Sequence, residues 1–483
     1  MMLPDDDCYL ALKARDARFD GQFFTCVEST GIYCRPICPA RTPKRDHCRF
    51  VATAAAAEDA GFRPCLRCRP ETAPGSPEWL GSESLVRRAL RILGESAADE
   101  PSLEHVARML SISSRQLRRL FADSLGTSPK SVIQTNRLAI ARQLLVETSA
   151  PVTEVALASG FGSVRRFNAA VQAHFEKTPT KLRQAHGRAR PNRGLTVSLG
   201  YRPPYAWDEF LAHMRARSIA GLEAADGNVY VRTVRAGRAK GLVRVEHDAP
   251  RARMRVEFML ERTDDLSGAV ASVRDLLDLD AVPEAIAGRL GDDERLREIV
   301  SEHPGLRFPG SWGVFEMLVR AIVGQQVSVG AARTVLGRLV AAFGEPVELP
   351  GSTCAMPHLL FPEPAALVGR SLCRFGLNTA RAGTIETISR VFADDPHYVH
   401  AGMAADDARQ RLLSVRGIGP WTADYVLLRA LRYPDAFPAA DLGALRAAGA
   451  VRPRELEAMA ERWRPWRGYA LLYLWKMLET SAT

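Results

Sequence analysis

Leu412-Leu-Ser-Val-Arg-Gly-Ile-Gly-Pro-Trp-Thr-Ala-Asp-Tyr425 decides how the C-terminal half is read. A Gly-x-Gly turn, Gly417 to Gly419, sits between two helix-forming runs. Glycine lets a hairpin backbone approach a DNA phosphate closely, and the free amides at the start of the next helix donate to it. One such turn is a weak signal alone. Here about 20 residues separate it from an acid, in Phe437-Pro-Ala-Ala-Asp441-Leu. Two aromatic words follow, Trp463-Arg-Pro-Trp-Arg467 and Tyr469-Ala-Leu-Leu-Tyr-Leu-Trp475.

Outward from that stretch, the 483 residues are 46% hydrophobic and 25% charged. That is ordinary globular composition, and the length predicts three or four domains. No run reaches the roughly 18 apolar residues of a membrane span. Met1 to Asp7 carries three acids and no basic apolar run, so a signal peptide is not expected and a cytoplasmic protein is. The net charge is +10, of which +8 falls on residues 1–190 and +2 on the remainder. A basic front segment favours a polyanionic partner, because neutralised phosphates release counterions.

Three breaks divide the chain: Pro/Gly-rich Glu71–Pro77, the basic turn-rich His186–Gly194, and a softer one at Ser301–Pro309. Residues 79–185 read as helical, 229–260 alternate like strands, and from about 311 the helical pattern returns. The expected units are 1–75, 79–188, 194–305 and 306–483.

Seven of the nine cysteines lie within the first 68 residues. A cytosolic chain has no redox reason to staple its N-terminus, so metal or thiol chemistry is the better expectation. Cys34-Arg-Pro-Ile-Cys38 and Cys65-Leu-Arg-Cys68 form two hooks, which suits one tetrahedral Zn2+ on Cys34, Cys38, Cys65 and Cys68. Cys8, Cys26 and Cys48 lack a spaced partner and read as small core residues.

Two helix-turn-helix patterns stand about 50 residues apart. In the first, Leu103, Val106, Ala107 and Leu110 form a stripe ahead of a turn at Ser111–Ser113. A helix follows that exposes Ser114, Arg115, Arg118 and Arg119. In the second, Val152–Ala156 and a turn at Ser159–Gly162 lead to a helix exposing Ser163, Arg165, Arg166 and Asn168. A solvated charged face would explain either one alone. Two copies with basic second helices predict major-groove readers, joined by a connector over about Pro129–Glu147.

Gly31-Ile-Tyr-Cys-Arg-Pro-Ile-Cys38 and Gly61-Phe-Arg-Pro-Cys-Leu-Arg-Cys68 resemble the N-terminal domain of the Ada response regulator, over about residues 3–71. The resemblance implies that one zinc-bound thiolate, carried over to Cys34, takes a methyl group irreversibly from a DNA methyl phosphotriester. Zinc keeps the sulfur deprotonated, and the thiolate is the nucleophile. Methylation takes a Zn(Cys)4 centre from −2 to −1, which would strengthen DNA binding. Two unit charges at about 4 Å interact by roughly 1–4 kcal/mol across effective dielectrics of about 80 to 20. A purely structural zinc ribbon is the competing reading. Ala158-Ser-Gly-Phe-Gly-Ser163 and Phe175-Glu-Lys-Thr-Pro179 look like the AraC-type DNA-binding domain.

Residues 195–480 resemble 3-methyladenine DNA glycosylase II of the AlkA type, in the helix-hairpin-helix superfamily. Tyr201-Arg-Pro-Pro-Tyr-Ala-Trp207 marks its β-sheet subdomain. The resemblance implies that Asp441 is the catalytic acid residue, stabilising a developing oxocarbenium ion and guiding water. Trp421, Tyr425 and Trp475 carry over as the wall of a flipped-base pocket. A plain helix N-cap is the structural alternative for Asp441, and aromatic core for Trp475. Related bifunctional enzymes place a Schiff-base lysine where this chain has Trp421, so a monofunctional enzyme is expected. Gln326, in Gly324-Gln-Gln-Val-Ser328, stands at the duplex-wedging position where leucine is usual. The carbonyls of Leu413, Val415 and Gly417 could hold a monovalent cation. The last cysteine is Cys373, so no iron–sulfur cluster is expected, and no Pro-Cys-His-Arg methyltransferase word is present.

The expected fold is multidomain and mainly α with α+β parts. It comprises a small zinc-bound α/β domain, an all-α double helix-turn-helix domain, an α+β sheet subdomain and an all-α helix-hairpin-helix glycosylase core. The expected function is alkylation repair of DNA by a glycosylase, fused to a methyl-phosphotriester sensor and a transcription activator. Its partners would be damaged and promoter double-stranded DNA and RNA polymerase, with no membrane and a monomeric chain. The alternative is a methylation-switched activator with an inactive glycosylase module.

Overall fold

Residues 3–74, 85–95, 103–184, 194–263, 266–348 and 356–481 are described by a computed structural model of the chain. Of the expected connectors, 75–77 and 186–193 lie outside the described residues.

The first unit is built on a four-stranded sheet of β1 (Phe24–Val27), β2 (Ile32–Cys34), β3 (Cys48–Val51) and β4 (Arg63–Pro64), in the order β3-β1-β2-β4. β1 pairs antiparallel with β2 and β3, and β2 pairs parallel with β4. Cys8, Cys26 and Cys48 are buried in its core as expected, and burial pushes the Cys8 and Cys26 thiols up to about 12. The alanine run opens a helix, Ala54–Asp59, capped by the Thr53 hydroxyl.

The reader unit is all helical. Ser113 caps the helix Ser114–Leu125 in a reciprocal box with Gln116, and Ser163 caps Val164–Phe175. In each second helix the buried residues recur at helical spacing: Leu117, Phe121 and Leu125, then Phe167, Val171 and Phe175. Arg115, Arg118, Arg119, Arg165, Arg166 and Asn168 are exposed. The connector helix spans Pro129–Glu147.

The C-terminal half holds a five-stranded antiparallel sheet, in the order β5-β9-β8-β7-β6. Its strands are β5 (Leu195–Gly200), β6 (Glu223–Asp226), β7 (Val229–Ala236), β8 (Ala239–Asp248) and β9 (Arg253–Leu260). β7 to β9 are the alternating strands read from sequence. β5 is buried at every position, although Leu195, Val197 and Leu199 alternate with Thr196 and Ser198. From Val314 the described regular elements are helices.

Two findings differ from the expected division into separate units. Ala281–Phe308, including the helices Pro283–Gly291 and Arg297–Glu302, shares a core with Leu428–Leu474, whereas the sheet's own core ends at Leu279. By packing, these two helices therefore sit with the C-terminal helical core. Pattern reading missed this because both sides of the cut are helical and apolar.

The units also share cores. Leu138–Leu182 of the reader pack in one cluster with Leu195–Leu279, and Ala55 of the zinc unit joins the first reader unit. The segment after Cys68 is held between the connector helix and β5. Arg142, fully buried, donates to Glu71 Oε2, and Arg69 bridges Glu71 (2.9 Å) and Glu147 (2.8 Å). Gln143 Nε2 donates to the Glu71 carbonyl (2.9 Å), while its Oε1 accepts from Ser198 N of β5 (2.8 Å). A side chain at Gly200 would meet the Thr72 carbonyl at 2.2 Å, so glycine is required for this approach.

Candidate active site and metal centre

The β2–β4 register pairs Tyr33 with Pro64, so Cys34 and Cys65 leave neighbouring strands side by side. Cys38 and Cys68 return from the two short loops, and all four Sγ atoms lie within 4.8 Å of one another. Cys38 and Cys65 are 3.9 Å apart, close to the roughly 3.8 Å edge of a tetrahedron with 2.3 Å Zn–S bonds. Backbone amides of Arg35 and Arg67 donate to Cys68 and Cys65 sulfurs (3.4 Å each), as thiolates require. The donor set fits zinc, and these four cysteines form the metal site. Cys34 is half-buried while the other three are buried. Arg35, which the sequence reading did not single out, clamps the loops together. Its guanidinium pairs with Asp20 and donates to the Cys68 carbonyl (3.1 Å) and Thr72 hydroxyl (2.8 Å).

In the C-terminal half, the helices Ala405–Leu413 and Pro420–Arg429 flank the hairpin. Gly417 has φ +94°, and a Cβ there would meet Thr384 Oγ1 at 1.9 Å, so only glycine fits. Gly417 and Gly419 are both exposed. The Val415 carbonyl accepts from Ile418 N (3.1 Å) and that of Gly417 from Gln325 Nε2 (3.3 Å). Two of the three carbonyls suggested for a cation thus already accept hydrogen bonds.

Asp441 both caps a helix and meets the aromatic residues. At the N-cap of Leu442–Ala448, its Oδ1 accepts from Ala444 N (2.9 Å) and Trp475 Nε1 (2.9 Å). Its Oδ2 accepts from Trp421 Nε1 (3.0 Å). A carboxylate offers about four lone-pair sites, so three N–H donors leave one free, on Oδ2. The helix N-terminus and both indoles all stabilise negative charge at this point. Asp441 is 9% exposed, but the next residue, Leu442, is 78% exposed, so the carboxylate sits just beneath the surface.

Trp421 and Tyr425 stack with centroids 4.9 Å apart at 11°, and Tyr425 and Trp475 lie 6.5 Å apart. All three rings are half-buried. Gln326 is exposed with φ +55°, in the loop between the helices Val314–Gly324 and Val329–Phe343. Its neighbour Gln325 donates to the Gly417 carbonyl and to Thr422 Oγ1 (3.0 Å), tying that loop to the hairpin.

Two further residues belong to this constellation. A Cβ on Gly443 would stand 3.1 Å from Asp441 Oδ1 and 3.3 Å from Trp475 Cδ1, so the small residue gives the carboxylate room. Arg429 is buried and donates to the Tyr425 hydroxyl (2.6 Å). The four-residue spacing Trp421, Tyr425, Arg429 was the signal available in sequence.

Family models match in three places: the metal binding domain of Ada over residues 7–71, a helix-turn-helix domain over 106–185, and the AlkA N-terminal domain over 196–313. DNA-3-methyladenine glycosylase 2 of Escherichia coli is 29% identical over 58% of this chain and 96% of its own length. The regulatory protein ada of Salmonella typhimurium is 37% identical over 33% of this chain and 44% of its own. The solved structure of a 3-methyladenine DNA-glycosylase from Archaeoglobus fulgidus covers 58% of this chain and 97% of itself, with TM-score 0.51 and 24% identity, and shares the fold of that part. A probable bifunctional transcriptional activator/DNA repair enzyme AlkA of Mycobacterium tuberculosis is 40% identical over 98% of this chain and 96% of its own length. With that likeness running through all the units just described, the chain belongs to the family of AlkA-type bifunctional transcriptional activator/DNA repair enzymes.

Proposed function

We propose that the chain is a monofunctional DNA glycosylase for alkylated bases such as 3-methyladenine, joined to a methyl-phosphotriester acceptor and a sequence-specific transcription activator. The observation that carries the repair reading is Asp441, held by the indoles of Trp421 and Trp475 beside the phosphate-suited hairpin. Gly417 and Gly419 bring the hairpin to the DNA backbone, and Gln326 fills the gap left by the extruded base. The base stacks among Trp421, Tyr425 and Trp475. As the C1′–N bond breaks, its electron pair leaves with the base, and the Asp441 carboxylate stabilises the positive charge left on the sugar. The remaining Oδ2 lone pair takes a proton from the attacking water. Trp421 has no amine to form an imine, so the product is an abasic site.

In the zinc unit, Cys34 is the methyl acceptor, the position that the likeness to the metal binding domain of Ada supports. When bound, zinc keeps the sulfur as a thiolate. The S–C bond forms as the methyl–oxygen bond breaks, and the phosphodiester leaves as the anion. Arg115, Arg118, Arg119, Arg165, Arg166 and Asn168 contact promoter DNA from the two exposed reader faces. RNA polymerase is the partner of the activating state, and the working unit is a monomer. Among the described residues no helix is long and apolar enough to cross a membrane.

Asp441→Asn tests the enzymatic reading on duplexes carrying alkylated purines. We expect single-turnover excision to fall by at least about a hundredfold. Equal, slow release by both proteins would leave only the regulatory function.

A further inference from the structure

We infer that Arg429, lying behind Tyr425, narrows the base pocket's preference for cationic alkylpurines over neutral purines. The inference rests on the glycosylase reading above and adds a specificity-determining residue to it.

Trp421, Tyr425 and Arg429 occupy one face of the helix Pro420–Arg429 at successive four-residue steps. Trp421 stacks on Tyr425, and the Arg429 guanidinium carbon lies 5.3 Å from the same ring's centroid. Arg429 also lies 5.5 Å from the Phe308 ring, which leans on Trp475 at 6.1 Å. One cation therefore backs the rings that support both indoles holding Asp441.

That cation faces no carboxylate among the described residues. Its donors go to the Pro309 carbonyl, the Tyr425 hydroxyl and His213 Nε2 (3.4 Å). Burial holds the His213 ring well below its usual value, so it is a neutral acceptor. Of the arginines nearby, Arg320 is paired with Glu223 and Glu316, and Arg432 with Asp278. Burial, together with Arg217, Arg320 and Arg432, lowers the Arg429 value to about 10, which still leaves it charged at neutral pH. A buried charge without a counter-ion is costly, and its field is weakly screened.

The consequence for a bound base follows from sign. A cationic purine is attracted by Asp441 and repelled by Arg429, whereas a neutral purine is spared the repulsion. The Tyr425 oxygen accepts from Arg429, and its own proton has no acceptor among the described residues.

The test compares kcat/KM on duplexes carrying one 7-methylguanine or one hypoxanthine, for wild type, Arg429→Gln and Arg429→Lys. Using the ratio of the two substrates within each preparation cancels any inactive fraction. We expect Arg429→Gln to raise the 7-methylguanine to hypoxanthine ratio at least tenfold, the effect of a unit charge no more than about 12 Å away at an effective dielectric of about 20. Arg429→Lys, which keeps the charge, should stay within about twofold of wild type. An unshifted ratio in Arg429→Gln, or equal shifts in the Gln and Lys variants, overturns this inference while leaving the glycosylase reading intact. A wild type that excises neither of these lesions nor 3-methyladenine overturns both.

Discussion

Glu71 is the carboxylate on which the three-way junction turns, and removing it should release the zinc unit from its neighbours. Its side chain is only 5% exposed, and it serves Arg142, whose side chain is fully buried, and Arg69. Glu71→Ala leaves Arg142 buried with its charge uncompensated, which costs about 3–5 kcal/mol. Screening by solvent does not reduce this figure, since Arg142 sees no water. The free energy would be spent locally: the segment after Cys68 detaches from the connector helix and β5, while the reader and glycosylase cores persist. Hydrogen exchange on residues 66–74, read against amides of Pro129–Glu147, follows that opening directly. At 3 kcal/mol, exchange at those amides should accelerate by about two orders of magnitude. Replacing both partners with leucine should recover much of the loss, because the penalty lies in the unpaired charge rather than in the missing pair. Exchange in Glu71→Ala within about fivefold of wild type, or a double variant as loose as the single one, would refute this account of the junction.

Glu58 and His174 give a pH signature at the same assembly. Burial raises Glu58 to about 7, although the Thr135 and Tyr33 hydroxyls donate to it, and nearby Asp59 adds to the rise. Burial, with Arg142, lowers His174 to about 4, and the ring lies 3.3 Å from Glu58. A raised carboxyl contributes stability below its unfolded value of 4.5 that is lost as pH climbs through 7. A lowered imidazole contributes stability above 6.5 that is lost as pH falls through 4. The two slopes oppose each other between 4.5 and 6.5. Urea titrations of wild type should therefore be nearly flat there, Glu58→Gln should become more stable with rising pH, and His174→Gln less. For the sensor, incubation with methyl-phosphotriester DNA should add one methyl mass to wild type and none to Cys34→Ser, by intact mass spectrometry. Wild type without that gain would leave the zinc site structural.

What was legible in the sequence was short-range. The hooks at Cys34–Cys38 and Cys65–Cys68, the two capped reader helices and the hairpin before Trp421 each lie within a few residues, where side-chain type and spacing carry the physics. Asp441 was legible by its offset from the hairpin. The helix N-cap stood there as the alternative, and the structure shows the carboxylate capping a helix while accepting from two indoles. The docking was not legible. Arg142 reaches Glu71 across 71 positions, and Ser198 reaches Gln143 across 55. No local pattern marks such partners, and a buried arginine reads in sequence like one more surface charge. Which core the helices Pro283–Gly291 and Arg297–Glu302 join was hidden for a related reason: their neighbours on both sides are apolar too, and only packing shows it.

The cluster that runs from Leu138 to Leu279 has an implication for how such a fusion persists. The reader and the sheet beside it keep each other's greasy faces dry, so neither can be cut away without wetting surface that its partner now covers. Units joined only by a tether can be lost or swapped by one genetic break. Here a break at the basic linker would have to be followed by several polar replacements on both sides before either fragment was soluble. Shared interior packing therefore acts as a ratchet that keeps sensing, reading and excision in a single polypeptide.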